Sequence, residues 1–83
     1  MSATSDAVRI VVCGLVDQPE AVSVHEHSGG RRCVLEVRVA PDDMGAVIGR
    51  GGRTADALRR LLRSRSESHD EIYDLKIREL EPR

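Results

Sequence analysis

The residues best suited to chemistry in this chain sit in one short run, Ile48-Gly49-Arg50-Gly51-Gly52-Arg53. Its three glycines lack Cβ atoms, so the run can take positive φ angles and let another backbone approach closely. Arg50 and Arg53 add planar guanidinium forks, which match pairs of phosphate oxygens. A helix starting at Arg53 or Thr54 would aim its first N–H groups, and the positive end of its dipole, at the same spot. These features together describe an anion site suited to phosphate. The plainer alternative is a glycine corner that only lets two helices meet.

Other reactive residue types lack companions. Cys13 and Cys33 are too few and too far apart for a disulfide framework or a zinc site, and read as small buried hydrophobes. His25 and His27 share one face of a strand, with His69 far downstream, and no further ligands complete a metal site. Asp42 and Asp43 are adjacent at a helix start, where capping explains them better than acid-base catalysis. With no Ser-His-Asp or Cys-His arrangement, a binding protein is expected, without catalysis and without a cofactor.

The elements that would position the glycine run can be read from periodicity. Val8, Val11, Val12, Leu15 and Val16 follow helical spacing, predicting a helix over residues 5–16 with Ser5 as N-cap and Asp17 and Pro19 as its stop. Residues 21–27 alternate as a strand. Ser28-Gly29-Gly30 turns the chain into a second strand, whose Cys33, Leu35, Val37 and Val39 line one face. Pro41-Asp42-Asp43 opens a helix with Met44, Val47 and Ile48 as its apolar face, stopped by Gly49. The next helix runs to about Ser66 with Ala55, Leu58, Leu61 and Leu62 on one side. Ile72 to Glu79 forms a last strand with Tyr73, Leu75 and Ile77 facing one way, and residues 80–83 are a short tail. The order α-β-β-α-α-β predicts an α+β fold, a three-stranded sheet covered on one face by three helices.

The 83 residues suit one domain spanning 1–83, with a core small enough that a partner or a second copy would add stability. No apolar run could span a bilayer, and the N-terminus lacks the order of a secretory signal, so a cytoplasmic, membrane-free protein is expected. The formal net charge is only −1, but it is unevenly spread. Residues 31–65 carry nine arginines against four acids, while the segments before and after are each net acidic. The positive middle contains the glycine run and suggests a local anion-binding face.

Which phosphate ligand fits is decided by context. A Walker loop needs G-x-x-x-x-G-K-[ST] between a strand and a helix, whereas Gly45 to Arg50 lies helix to helix with no Lys-Ser or Lys-Thr after it. The dinucleotide fingerprint fails on spacing and on its upstream strand. With one Tyr and no Phe or Trp, base-stacking sheets of the RRM, OB or cold-shock kind are disfavoured. Helix, G-x-x-G, helix is the layout of a KH module, whose loop clamps about four single-stranded nucleotides.

The stretch VAPDDMGAVIGRGGRTADALRRLL resembles the KH core, and the element order resembles the type II, bacterial version of that fold. In length and motif the chain is similar to the KhpA family of small bacterial KH-domain RNA-binding proteins. The resemblance implies that Gly49 and Gly52 are the defining loop glycines, with Arg50 and Gly51 as its variable positions. Arg50 stands where that family more often has lysine, and Gly51 removes a side chain that would otherwise point at RNA. Bases would lie against aliphatic side chains. Candidates are Val37 and Val39 from the strand, Val47 and Ile48 before the loop, and Ala55 and Leu58 after it, although most of these, Ile48 and Leu58 included, read more readily as core. Arg53 and Arg59 would contact phosphate, with Arg31 or Arg32 as further candidates. The resemblance also implies a single-stranded RNA partner, a homodimer or a heterodimer with a KhpB-like KH protein, and a role as RNA chaperone or post-transcriptional regulator, in some bacteria tied to cell elongation and envelope homeostasis. A protein-interaction subunit that mainly dimerises through its KH fold is the second reading.

Overall fold

A computed structural model of the protein describes residues 3–69 and 71–80, and the side chains of all of these except Arg50, Ser68 and His69. The elements are α1 (Ala3–Cys13), β1 (Ser23–Gly29), β2 (Arg32–Val39), α2 (Met44–Ile48), α3 (Arg53–His69) and β3 (Ile72–Glu79), in the expected α-β-β-α-α-β order. Single 3₁₀ turns at Pro19–Ala21 and Pro41–Asp43 lead into β1 and α2, and a non-helical kink at Arg50–Gly52 joins α2 to α3.

β2 is the central strand. It pairs with β1 antiparallel and with β3 parallel, so the sheet order is β1-β2-β3. Antiparallel neighbours need only a tight hairpin, and Gly29 opposite Arg32 leaves Gly30 and Arg31 as the loop, with Gly30 at φ 60°. Parallel neighbours need a crossover, which α2 and α3 supply.

Strict alternation in β2 sends Cys33, Leu35, Val37 and Val39 inward, each no more than 4% exposed, and Val34, Glu36 and Arg38 outward. Val8 and Val12 of α1, Val24 of β1, Val47 of α2, Leu58 and Leu62 of α3 and Leu75 of β3 complete the core against that inner face. The three helices therefore cover one side of the sheet. The other side is open.

Four expectations shift in detail. α1 lies over Ala3–Cys13 rather than 5–16, and Ser5, fully buried inside it, is not its N-cap. The small Thr4 and Ser5 side chains let α1 pack closely on α3, where Arg65 Nε donates to Thr4 Oγ1 at 3.0 Å. β1 begins at Ser23 because Pro19–Ala21 forms a 3₁₀ turn, with Pro19 at a helix-starting position. Ile48 and Leu61 fall on the exposed margins of their helices rather than in the core, at 39% and 62% exposure. Residues 81–83 of the tail lie outside the described residues, while the Leu80 N–H still donates to Val39 O at 2.8 Å.

Asp43 makes a connection that capping did not foresee. Its side chain bonds none of the α2 amides; instead Oδ1 accepts from the Asp17 N–H at 3.0 Å and Oδ2 from the Gln18 N–H at 3.1 Å. A carboxylate only 2% exposed thus ties the segment after α1 to the start of α2. Hydrogen bonds to an ionised group are among the stronger stabilising contacts. Asp43→Ala is expected to lower the unfolding free energy by about 2 kcal/mol, read by denaturant titration. Hydrogen exchange at the Asp17 and Gln18 amides should quicken, while the β2 amides keep their protection.

Candidate nucleic-acid interface

α2 ends where its last turn meets Gly49, whose N–H donates to Gly45 O at 2.8 Å. Gly49 then adopts φ 78° and ψ 169°, a region open essentially only to glycine. Gly51 follows at φ 66° and ψ 19°, and Gly52 at φ 79°. All three glycines therefore have positive φ. At Gly49 space is limiting as well, because a Cβ would meet the Thr54 hydroxyl and lie 2.8 Å from the Thr54 N. At Gly51 and Gly52 a Cβ would meet open space, so there the backbone angle alone favours glycine. Gly51, one of the two positions expected to vary, thus has a conformational reason of its own.

The loop feeds directly into α3, a helix of 17 residues with exposed Arg53 at its first position. Its leading N–H groups and dipole face the turn. Beside them, Ile48 presents apolar surface to solvent. Arg59, on the next turns of α3, has a side chain 51% exposed that comes within 3.8 Å of Asp56, a loose surface pair. The side chain of Arg50 lies outside the described residues.

The expected aliphatic contacts divide sharply. Val37, Val39 and Val47 are 0% exposed, Ala55 is 4% and Leu58 2%, so none offers a surface to a base. The reason is the helical layer, which covers the inner face on which β2 places its valines. Val37 and Val47 support the site from beneath, and Ile48 alone of that group reaches solvent. Arg31 and Arg32 belong to the β1–β2 hairpin, at the far end of β2 and roughly 23 Å from its loop end at 3.3 Å per residue. They are not part of the loop site.

Sequence reasoning missed the opposite wall. β3 is an edge strand, and the Ile72 and Leu80 amides donate inward to Arg31 O and Val39 O. By alternation the backbone polar groups of Leu75, Ile77 and Glu79 point to the open edge. Between this edge and α3 runs a groove of about 530 Å³, lined by Arg59, Arg63 and Ser66 on one side and Tyr73, Asp74 and Lys76 on the other. Ser66 closes its lower end, its hydroxyl donating to Leu62 O and accepting from the Tyr73 N–H, both at 3.0 Å. The volume suits a small ligand, and the walls combine cations with unpaired backbone. The i, i+4 spacing of Arg59 and Arg63 was the legible signal for one wall.

The outer sheet face carries the densest electrostatics. Glu36 Oε1 accepts from Arg38 Nε at 3.1 Å and lies 3.0 Å from the second Arg38 nitrogen, while Oε2 is 3.1 Å from Arg78 Nε. From β1, His27 approaches Oε1 at 3.9 Å. Removal from water pushes the Glu36 carboxyl up, but the charge and hydrogen bond of Arg38, then the charges of Arg78 and His27, outweigh this and hold it below the ordinary carboxylate value of 4.5. His25 and His27 do share this face, and among the described residues no group of three His, Cys, Asp or Glu could hold a metal ion. No helix among the described residues is long and apolar enough to cross a membrane.

The family model described as the KhpA/KhpB KH domain matches residues 5–77. The chain belongs to this KhpA/KhpB KH-domain family. Proteins named RNA-binding protein KhpA are similar to it. That of Mycobacterium leprae is 56% identical over 57 residues, covering 69% of this chain and 71% of that protein. The Caldanaerobacter subterraneus protein is 44% identical over 59 residues, covering 71% and 79%. The Leifsonia xyli protein is 57% identical over 56 residues, covering 68% and 74%. Among solved structures, Era of Aquifex aeolicus shares the fold with a TM-score of 0.61 at 13% identity, over 93% of this chain but only 30% of the Era chain. Membership in the KhpA/KhpB family fits the three helices over a three-stranded sheet.

Two outcomes follow from this geometry. Gly49→Ala should destabilise by about 3 kcal/mol and Gly51→Ala by about 1 kcal/mol, compared by thermal melting, because only the first combines a glycine-only conformation with a steric clash. A lowered folded-state pKa at Glu36 means that its stabilisation is present above the ordinary carboxylate range and is lost as pH falls through the folded value. The melting-temperature gap between the wild type and Glu36→Gln should therefore be widest near neutrality and shrink below pH 4.5.

Proposed function

We infer that this chain is a single-stranded RNA-binding protein of the KhpA type, which clamps the RNA backbone with the Gly49–Gly52 loop. The observation that carries this reading is the run of positive-φ glycines at the start of α3, flanked by exposed Arg53 and Ile48. A bare backbone lets a phosphodiester come close, the α3 N–H groups donate to its oxygens, and Arg50 and Arg53 add charge. Past the loop, Arg59 and Arg63 continue the positive wall, and the open β3 edge offers N–H and C=O groups to base edges. The names of the similar proteins support RNA as the ligand.

With few side chains able to read bases and the half-buried Tyr73 as the single aromatic along the groove, sequence preference should be weak. That suits an RNA chaperone or post-transcriptional regulator acting on many transcripts without catalysis, and in the cytoplasm. A link to cell elongation and envelope homeostasis belongs to the same reading.

A second reading, assembly with another KH protein, is favoured by one observation. Ile10 is 72% exposed, Leu61 62%, and Val11 and Leu15 41% each, beside an apolar groove between α1 and α3 lined by Ala7, Val11 and Leu61. Such a patch on a small domain suits a second copy or a KhpB-like partner. The two readings are compatible, since this patch includes neither the loop nor the β3 edge.

One experiment tests both. If four arginines meet phosphates, the affinity for a short single strand should fall with salt at a slope of roughly −3. The double variant Arg50→Asp, Gly51→Asp should lose most of this binding and keep its oligomeric state in sedimentation. Leu61→Glu should shift the oligomeric state and leave binding largely intact. Equal RNA binding by the wild type and the loop variant would remove the loop as the RNA site.

A further inference from the structure

The open sheet face has an arrangement that the loop and groove do not use. The registers β1–β2 and β2–β3 place twelve residues on it, and six of these carry full charges. They are four cations, Arg32, Arg38, Lys76 and Arg78, against two carboxylates, Glu36 and Asp74. Asp74 is taken by Arg32 at 3.0 Å, in an exposed pair. Glu36 is shared between two arginines that the register sets directly opposite each other, Arg38 and Arg78. Like charges in that position repel, so a single carboxylate holds the two side by side without neutralising them. Each guanidinium has five donors in a fixed fork, and Glu36 occupies at most two on either. The remaining donors of Arg78, whose side chain is 57% exposed, are oriented by that bond and open to solvent.

This surface is continuous with the groove. Lys76 and Asp74 belong to the outer face by register and also line the groove beside α3. A chain leaving the groove over the β3 edge therefore meets Lys76 first and then the Arg78–Glu36–Arg38 cluster. The net positive charge of the face complements a polyanion, and no side chain there besides the two histidines is aromatic.

We propose that the open sheet face is a second RNA-backbone surface, on which a strand too long for the loop and groove continues around the β3 edge. The proposal rests on the reading of the chain as an RNA-binding protein. Glu36 then has two effects: it preorganises the arginines and, as an anion, weakens the attraction for phosphate. The face adds affinity and salt dependence but little sequence preference, because its contacts are to phosphate.

The test compares a tetranucleotide with a single strand of about sixteen nucleotides, using the intact chain and fluorescence anisotropy over a series of salt concentrations. Arg32→Gln with Arg78→Gln removes two exposed cations from the face and none from the loop, and thermal melting checks that it folds. Affinity for the longer strand should fall about tenfold and the salt slope should shrink by about 1.4, with tetranucleotide binding unchanged within about twofold. Glu36→Gln should tighten the longer strand, which loss of a merely structural bond would not do. Unchanged affinity and slope for the longer strand would overturn the proposal and leave this face to another partner. Equal losses at both lengths would also overturn it, since the residues would then serve the groove itself. The clamp is judged separately by the Arg50→Asp, Gly51→Asp variant on the tetranucleotide, so either reading can fail without the other.

Discussion

The parallel pairing of β2 with β3 is the constraint on which the rest of the molecule depends. Two parallel neighbours cannot be joined by a hairpin, so the chain leaving Val39 must travel back along the sheet before β3 can begin. α3 makes that return, and its 17 residues at 1.5 Å each span a length similar to the strands beneath it. The reversal from β2 into α3 has to be sharp, and it is made by α2 and the glycine turn. Strand pairing thus sets the loop at one end of the sheet, brings α3 alongside β3, and leaves the far edge of β3 unpaired.

The same pairing decides how charge and apolar surface are shared. β2 is held on both edges, so each of its side chains points either into the helical layer or away from it. Its inner positions fill with Cys33, Leu35, Val37 and Val39, and its outer ones carry Glu36 and Arg38 toward the cations of β3. Because Arg38 lies opposite Arg78, the sheet brings together two like charges, and the fold tolerates them through Glu36. Burial on one face and a charge cluster on the other are two consequences of one register.

Much of this was legible from the residues. Alternation in Arg32–Val39 and Ile72–Glu79 identified β2 and β3 together with the sides of their side chains, and glycine spacing located the loop. Periodicity was less informative about what covers a face. It grouped Ile48 with Val47 and Leu61 with Leu62, yet the outer member of each pair lies beyond the helical contact. It favoured core for Val37 and Val47 while leaving them open as base contacts, and the packing of helices over the inner face bears out the core reading. Strand order left no trace in the pattern, so the open β3 edge could not be foreseen. Asp43 offered a misleading signal: an acid before a short helix reads as a cap, whereas its bonds run to a segment 25 and 26 residues earlier.

Those long-range bonds bear on how a strained loop can persist. Positive φ at Gly49, Gly51 and Gly52 is a backbone path unfavourable for most sequences, and α2, with five residues, is too short to be stable alone. What holds it is anchoring on each side. Val47 sits fully buried against the sheet, Asp43 ties the entry of α2 to the segment after α1, and Ala55 and Leu58 fix the first turns of α3. The loop is therefore suspended between two points of burial, with open space beside Gly51 and Gly52. A turn held in this way need not be ordered when a ligand arrives, which reduces the entropy cost of binding. Under the proposed clamp, affinity at a loop with three glycines depends on that preorganisation, so Val47 and Asp43, outside the loop itself, would act on binding through the stability of α2.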